Sequence, residues 1–128
     1  MMSGCDWSVR EFNFFWDDWP EDLDYTVRRS EVILAADVVY DKDITEHFFK
    51  TLRKILSFPS KTVLIAIEKR ARAGDDGEII APNFEYFIEN LSRINEIDGV
   101  EVEELKPDFQ QFLTYTRVEH LTLWKLES

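Results

Sequence analysis

Cysteine and glycine are scarce: the 128 residues hold a single Cys5 and four glycines. One thiol forms no internal disulfide and supplies no thiolate set for zinc, so the chain reads as an intracellular protein of a reducing compartment, cytoplasmic or nuclear. The glycines stand at 4, 74, 77 and 99. None joins a strand to a helix in the glycine-rich turn that lets backbone approach a nucleotide. No apolar run is long enough to span a bilayer, and Asp6 and Trp7 occupy the stretch where a signal peptide would be uninterrupted and apolar. Basic residues are in deficit, with 15 Lys and Arg against 26 Asp and Glu for a formal net charge of −11. That field repels phosphate backbones and anionic lipid, which disfavours direct nucleic-acid and membrane binding and suits a basic protein partner. No Ser or Cys stands in a nucleophile elbow, and His47 and His120 have no companion ligands at metal spacing. Hydrolase and metal-centred readings lose their support.

What is present builds a core. The chain is 45% hydrophobic, with ten Phe, four Trp and four Tyr, far too aromatic for a disordered acidic tail. The opening to Arg29 has no clean period, and a short strand near 9–14 followed by a loop is the expectation. From Glu31 to Tyr40 the run EVILAADVVY has no polar alternation, the pattern of a strand covered on both faces in a parallel sheet. Asp43 and Glu46 then have the capping-box spacing, and Ile44, Phe48, Phe49, Leu52, Ile55 and Leu56 recur at helical intervals. A second apolar strand, Thr62 to Ile67, completes a βαβ unit. A polar loop spans 68–77, Asn83 caps a helix carrying Phe84, Phe87, Ile88, Leu91 and Ile94, and Asp98-Gly99 closes into an alternating edge strand, Val100 to Leu105. The tail from Phe112 ends in a last strand, pairing antiparallel with the one before it.

Ligands collect beyond the C-terminal ends of parallel strands, and acidic groups stand at both such exits. At the first, Asp37 can accept a hydrogen bond or ion pair from a cationic substrate, and Tyr40 can lay its ring against an ammonium group. Equally, Asp37 ends a strand and Tyr40 fills space. At the second, Glu68 and Arg70 read first as a structural ion pair. The aromatic stretch Phe12 to Trp19 can stack on an adenine ring, though packing of an irregular arm is the plainer use.

The segment Val32 to Asp41, with Asp37 and Tyr40 in Asp-x-x-Tyr spacing, resembles the motif of the seven-β-strand, class I protein-lysine methyltransferases of the methyltransferase-like family. The helix from Asp43 to Leu52, the exit Ile67 to Arg70 and the ending Leu121 to Leu126 are similar in the same order. The resemblance implies an α/β fold: the C-terminal half of a Rossmann-like sheet, parallel strands with a terminal antiparallel strand pair, making 1–128 a single partial domain. It implies methyl transfer from S-adenosylmethionine to the lysine side chain of a protein substrate with an exposed lysine. By residue, it puts Asp37 and Tyr40 beside the target lysine, Ala35, Ala36 and Phe14 against the donor, and Glu68 and Arg70 in the substrate pocket. One departure is local: Phe12-Asn13-Phe14 stands where the family has Leu-Asp-Trp. The family's glycine-rich donor loop would lie upstream of Met1. The expectation is therefore a chain inactive by itself, with an unpaired apolar strand edge through which it self-associates or which leaves it marginally stable. Two other readings stay open: a non-catalytic acidic α/β protein-interaction module, and a small-molecule enzyme of another Rossmann-like family, against which the Asp37–Tyr40 spacing argues.

Overall fold

Asn13 bends the start of the chain: its side-chain Oδ1 accepts the Phe15 N–H at 2.9 Å and its carbonyl accepts the Trp16 N–H at 3.1 Å. The computed structural model of the protein describes residues 11–36, 41–58, 60–69, 72–75, 77, 79–106 and 121–128. Within them, the part of the expected strand that is described, residues 11–14, is irregular. Val9 and Arg10 lie outside the described residues. The Asn13 turn is incompatible with an extended ladder there.

Helix α1 (Glu21–Arg29) follows Pro20 and corrects the expectation of a loop. Its signals are electrostatic rather than periodic: Glu21, Asp22 and Asp24 fill the first turn and Arg28 and Arg29 the last, each complementing the helix dipole. Only Leu23 and Val27 are buried, too few positions to make a visible period.

Strand β1 (Val32–Ala36), helix α2 (Lys42–Leu56) and strand β2 (Thr62–Glu68) form the expected parallel βαβ unit, in register from Val32 opposite Thr62 to Ala36 opposite Ala66. The α2 cap is Asp41, not Asp43: its extended backbone lets Oδ1 accept the Ile44 N–H at 2.8 Å, whereas Asp43 already lies inside the helix. The expected polar loop contains one short strand, β3 (Arg72–Ala73), which pairs antiparallel with β4 (Ile79–Ile80) just beyond it. Between them the Gly77 N–H reaches the Gly74 carbonyl at 3.1 Å, with Gly77 at φ 85°, a conformation that favours glycine. Helix α3 (Pro82–Asp98) begins after Ala81 rather than at Asn83, because Pro82 suits the first helical position, where its missing N–H costs nothing. Gly99, left-handed at φ 68°, ends it.

Strands β5 (Glu101–Leu105) and β6 (Leu121–Glu127) pair antiparallel as expected, and β6 also pairs antiparallel with β2, giving the order β1-β2-β6-β5. The sheet is thus mixed, with β1 at one edge and β5 at the other, in keeping with a partial Rossmann-like fold. The part of the tail from Phe112 to His120 lies outside the described residues.

The three helices among the described residues share one face of the sheet. Val63, Ile65, Ile67 and Leu126 are fully buried beneath Phe48, Phe49 and Leu52 of α2, Phe87, Leu91 and Ile94 of α3, and Leu23 and Val27 of α1. The other face carries no helix among the described residues. There Val32 is 57% and Leu34 is 74% exposed, so the expectation that the first apolar strand is covered on both faces is corrected. An unbroken apolar run does not say how many layers cover it.

Lys61, immediately before β2, is 4% exposed. Its ammonium donates to the carbonyls of Val27 at 2.8 Å, Arg28 at 2.6 Å and Ser30, completing the C-terminal end of α1 where the dipole is negative. Its backbone N–H donates to Ser128 Oγ at 2.9 Å and its carbonyl accepts the Ser128 N–H at 3.0 Å. Replacing Lys61 with Met strands three carbonyls while keeping the apolar stem. We expect Lys61→Met to cost about 2–3 kcal/mol, measured by urea unfolding; an unchanged midpoint would count against this role.

Candidate functional site

Because β1 and β2 run parallel, their C-terminal residues Ala36 and Glu68 emerge at the same end of the sheet, where α2 and α3 begin. That is the end at which helix N-termini and loops of an open α/β sheet converge. Asp37 and Tyr40 follow Ala36 directly, and Arg70 follows Glu68 by two residues; these three lie outside the described residues. Glu68 is half-buried, paired in register with Leu121, and by strand alternation shares the open face with Leu64 and Ala66.

Three of the expected residues do come together. Phe14, Ala35 and Ala36 line one hollow of about 280 Å³ with Phe12, Phe48 and Thr51, between the edge of β1, the aromatic arm and α2. Packing fixes the arm: Phe14 sits 5.4 Å from Phe48 and 5.7 Å from Phe12, and Phe12 sits 5.5 Å from Trp19. Polar contacts clip its far end to α2, with the Lys54 ammonium 4.3 Å from the Trp19 ring and Lys50 pairing with Asp17 at 3.2 Å. Phe15 points elsewhere and stacks on His47 at 4.1 Å. Asn13 acts on the arm's own backbone, so the amide at this place serves the turn.

A second hollow, of about 370 Å³, lies on the open face between Leu34, Ala36, Leu64, Ala66, Leu105 and Leu123. A continuous apolar row crosses all four strands here, Ala36, Ala66, Leu123 and Leu105 standing side by side in register. At the far corner the same face turns acidic. Lys125 pairs with Glu127 at 2.9 Å and Glu103 at 3.6 Å. The hydrogen bond to Glu127, then its charge and that of Glu103, push the ammonium pKa above the ordinary lysine value.

The N-terminal part of α3 holds a cluster that no sequence spacing announces. The Tyr86 phenol donates to Glu46 Oε1 of α2 at 2.6 Å, and the Lys42 ammonium lies 5.0 Å from the Tyr86 ring centre. Two residues earlier in α3, the Phe84 ring has the Lys69 ammonium 5.5 Å away. The partners sit 40 residues apart for the Tyr86–Glu46 bond, so only the packing of α2 on α3 joins them.

With the geometry in place, comparison with known proteins decides the family. A family model described as lysine methyltransferase matches residues 10–91. The chain belongs to the lysine methyltransferase family. The matched span runs from the aromatic arm through β1, α2 and β2 into α3. Methyltransferase-like protein 22 of mouse and that of human are each 28% identical over 120 residues, covering 88% of this chain. The chain spans 30% of the mouse protein's length and 29% of the human protein's.

Family membership implies S-adenosylmethionine as donor and a protein as substrate. The inner hollow fits one part of that donor. Its aromatic and aliphatic walls suit a flat purine, while Thr51, nearly buried, is the only polar side chain among the lining residues. No group there answers the charged amino-acid end of the donor.

At the mouth, Glu46 raises the pKa of the Tyr86 phenol above its ordinary value of 10.0, first through the hydrogen bond it accepts, then with help from burial. A raised phenol pKa favours the folded state below pH 10 and loses that contribution as pH rises through the folded value. Titration of the Tyr86 ring followed by NMR should give a midpoint above 10 that falls in Glu46→Gln; an identical midpoint in the variant would contradict the assignment.

Proposed function

We propose that this chain is the substrate-facing part of a protein-lysine N-methyltransferase that transfers a methyl group from S-adenosylmethionine to a lysine side chain, and that alone it is inactive. The observation that carries the reading is the gathering of Phe14, Ala35 and Ala36 around one apolar hollow at the end of β1, from which the Asp37–Tyr40 stretch departs. When bound, S-adenosylmethionine supplies an electrophilic methyl group. Phe12, Phe14, Ala35 and Ala36 hold its adenine end by apolar contact and stacking. Asp37 aims the substrate amine and Tyr40 flanks it. A carboxylate so placed raises rather than lowers an amine pKa, so Asp37 recognises and orients the lysine, and the proton leaves to water. Glu68 and Arg70 shape the pocket from the next strand. The amino-acid end of the donor needs partners beyond these residues. The net charge of −11 favours a basic substrate, and the single Cys5 favours an intracellular, reducing setting.

In the complete polypeptide, Asp37→Ala should lower kcat/KM for protein lysine methylation about a hundredfold, through lost positioning, read by mass spectrometry of the modified lysines. Undiminished methylation would overturn the role. A second reading, a non-catalytic protein-binding module, draws on the open apolar face; calorimetric titration of the complete polypeptide with S-adenosylmethionine separates the two, since the module binds no donor in any polypeptide context.

Among the described residues β1 pairs only with β2, and its sequence VILAA carries no charge, proline or bulge to protect the outer edge. We propose that the isolated chain self-associates through this edge. Light scattering should show dimers or larger species that Leu34→Lys returns to monomer. A wild-type monomer at millimolar concentration would rule this out.

A further inference from the structure

Two lysines follow the two strand exits, and each is laid on an aromatic ring of the N-terminal part of α3. Lys42, the first residue of α2, lies over Tyr86 at 5.0 Å, and Lys69, one residue past β2, lies over Phe84 at 5.5 Å. The Tyr86 perch is the better built. Its ring is half-buried, its phenol is anchored to Glu46 Oε1 at 2.6 Å, and the Glu46 carboxylate remains exposed beside it. A ring face next to a carboxylate is the pairing that recognises an ammonium group: the quadrupole attracts the cation, and the carboxylate accepts its hydrogen bonds. Lys42 and Glu46 are also one helical turn apart, so the perch holds its own cation at low cost.

We propose that Tyr86 and Glu46 form an accessory subsite for a basic side chain flanking the target lysine of a protein substrate, and that Lys42 occupies it in cis until the substrate displaces it. The inference rests on the lysine methyltransferase reading for the identity of the substrate, while the subsite itself rests on the α2–α3 contact alone. Lys42 lies two residues beyond Tyr40 in the sequence, so on the proposed reading only a short stretch of chain separates the subsite's resident lysine from the residues assigned to the target amine. The resident lysine makes the subsite selective as well: a neutral side chain gains nothing by displacing it.

The probe is an acetylated tetralysine amide, titrated into this chain at physiological ionic strength, with the Tyr86 ring followed by NMR in the wild type and affinities of wild type and variants compared by isothermal titration calorimetry. The expected result is a saturable shift of the Tyr86 ring signals that a tetraglutamine peptide does not produce. Lys42→Met, which empties the perch, should bind the peptide about two- to fivefold more tightly, and Tyr86→Leu about two- to fivefold more weakly. Tyr86→Phe keeps the ring face and should retain most of the affinity, so a loss confined to Tyr86→Leu separates the cation contact from the fold of α3. Equal affinity in wild type, Lys42→Met and Tyr86→Leu would overturn the proposal, as would peptide shifts confined to Glu101, Glu103 and Glu127. Failure of the complete polypeptide to methylate lysine would remove the methyltransferase reading and leave this binding result standing.

Discussion

The Lys61 ammonium, sunk beneath the sheet and held by the carbonyls of Val27, Arg28 and Ser30, is the tie on which the lower end of the molecule depends. It completes α1, while its own backbone bonds to Ser128 and the adjoining Thr62 N–H donates to the Glu31 carbonyl at 2.9 Å. Helix α1, the starts of β1 and β2 and the end of β6 are thereby joined at one place. A buried cation without a carboxylate is tolerable only when hydrogen-bond acceptors surround it. A helix C-terminus, with its unused carbonyls and negative dipole end, supplies them. With the base so fixed, the opposite end is left to the strand exits and the helix N-termini.

The sheet's two faces have different fates. The inner face is a closed aromatic and aliphatic core from Phe48 and Phe49 to Phe87 and Ile94. The outer face offers a smooth apolar row across all four strands and an acidic corner at β5 and β6. Parallel strands ordinarily bury both faces, so the outer row and the β1 edge are where further polypeptide stands to gain most by packing.

The mouth of the site combines acid and ring. Asp41 caps α2, Glu46 holds Tyr86, and lysines of the chain itself rest on Tyr86 and Phe84. These are the groups that a cationic side chain would seek, and a strongly acidic chain presents them in a field that draws such a partner in. The inner hollow, by contrast, is almost wholly apolar. The apolar hollow and the charged, ring-bearing surface are therefore chemically distinct, one made by the arm, β1 and α2, the other by the junction of α2 with α3.

Local pattern sufficed for the βαβ unit, because Phe48, Phe49, Leu52, Ile55 and Leu56 recur at helical spacing between two apolar runs and all are buried. It sufficed for the Gly99 stop and for the antiparallel pairing of β5 with β6. It missed α1, whose two buried residues leave only dipole-matching charges as a sign, and it placed the N-caps of α2 and α3 two positions late, since Asp41 and Asp43 both suit the first and Pro82 rather than a polar cap opens the second. What the sequence by itself determined is the order and type of the main elements, for these follow from the spacing of apolar side chains along a few turns. What only the tertiary structure decided is which face is covered, that β6 lies between β2 and β5, that Lys61 closes α1, and that Phe14 meets Ala36 and Glu46 meets Tyr86. Each of those depends on contacts between residues tens of positions apart, and no local period records them.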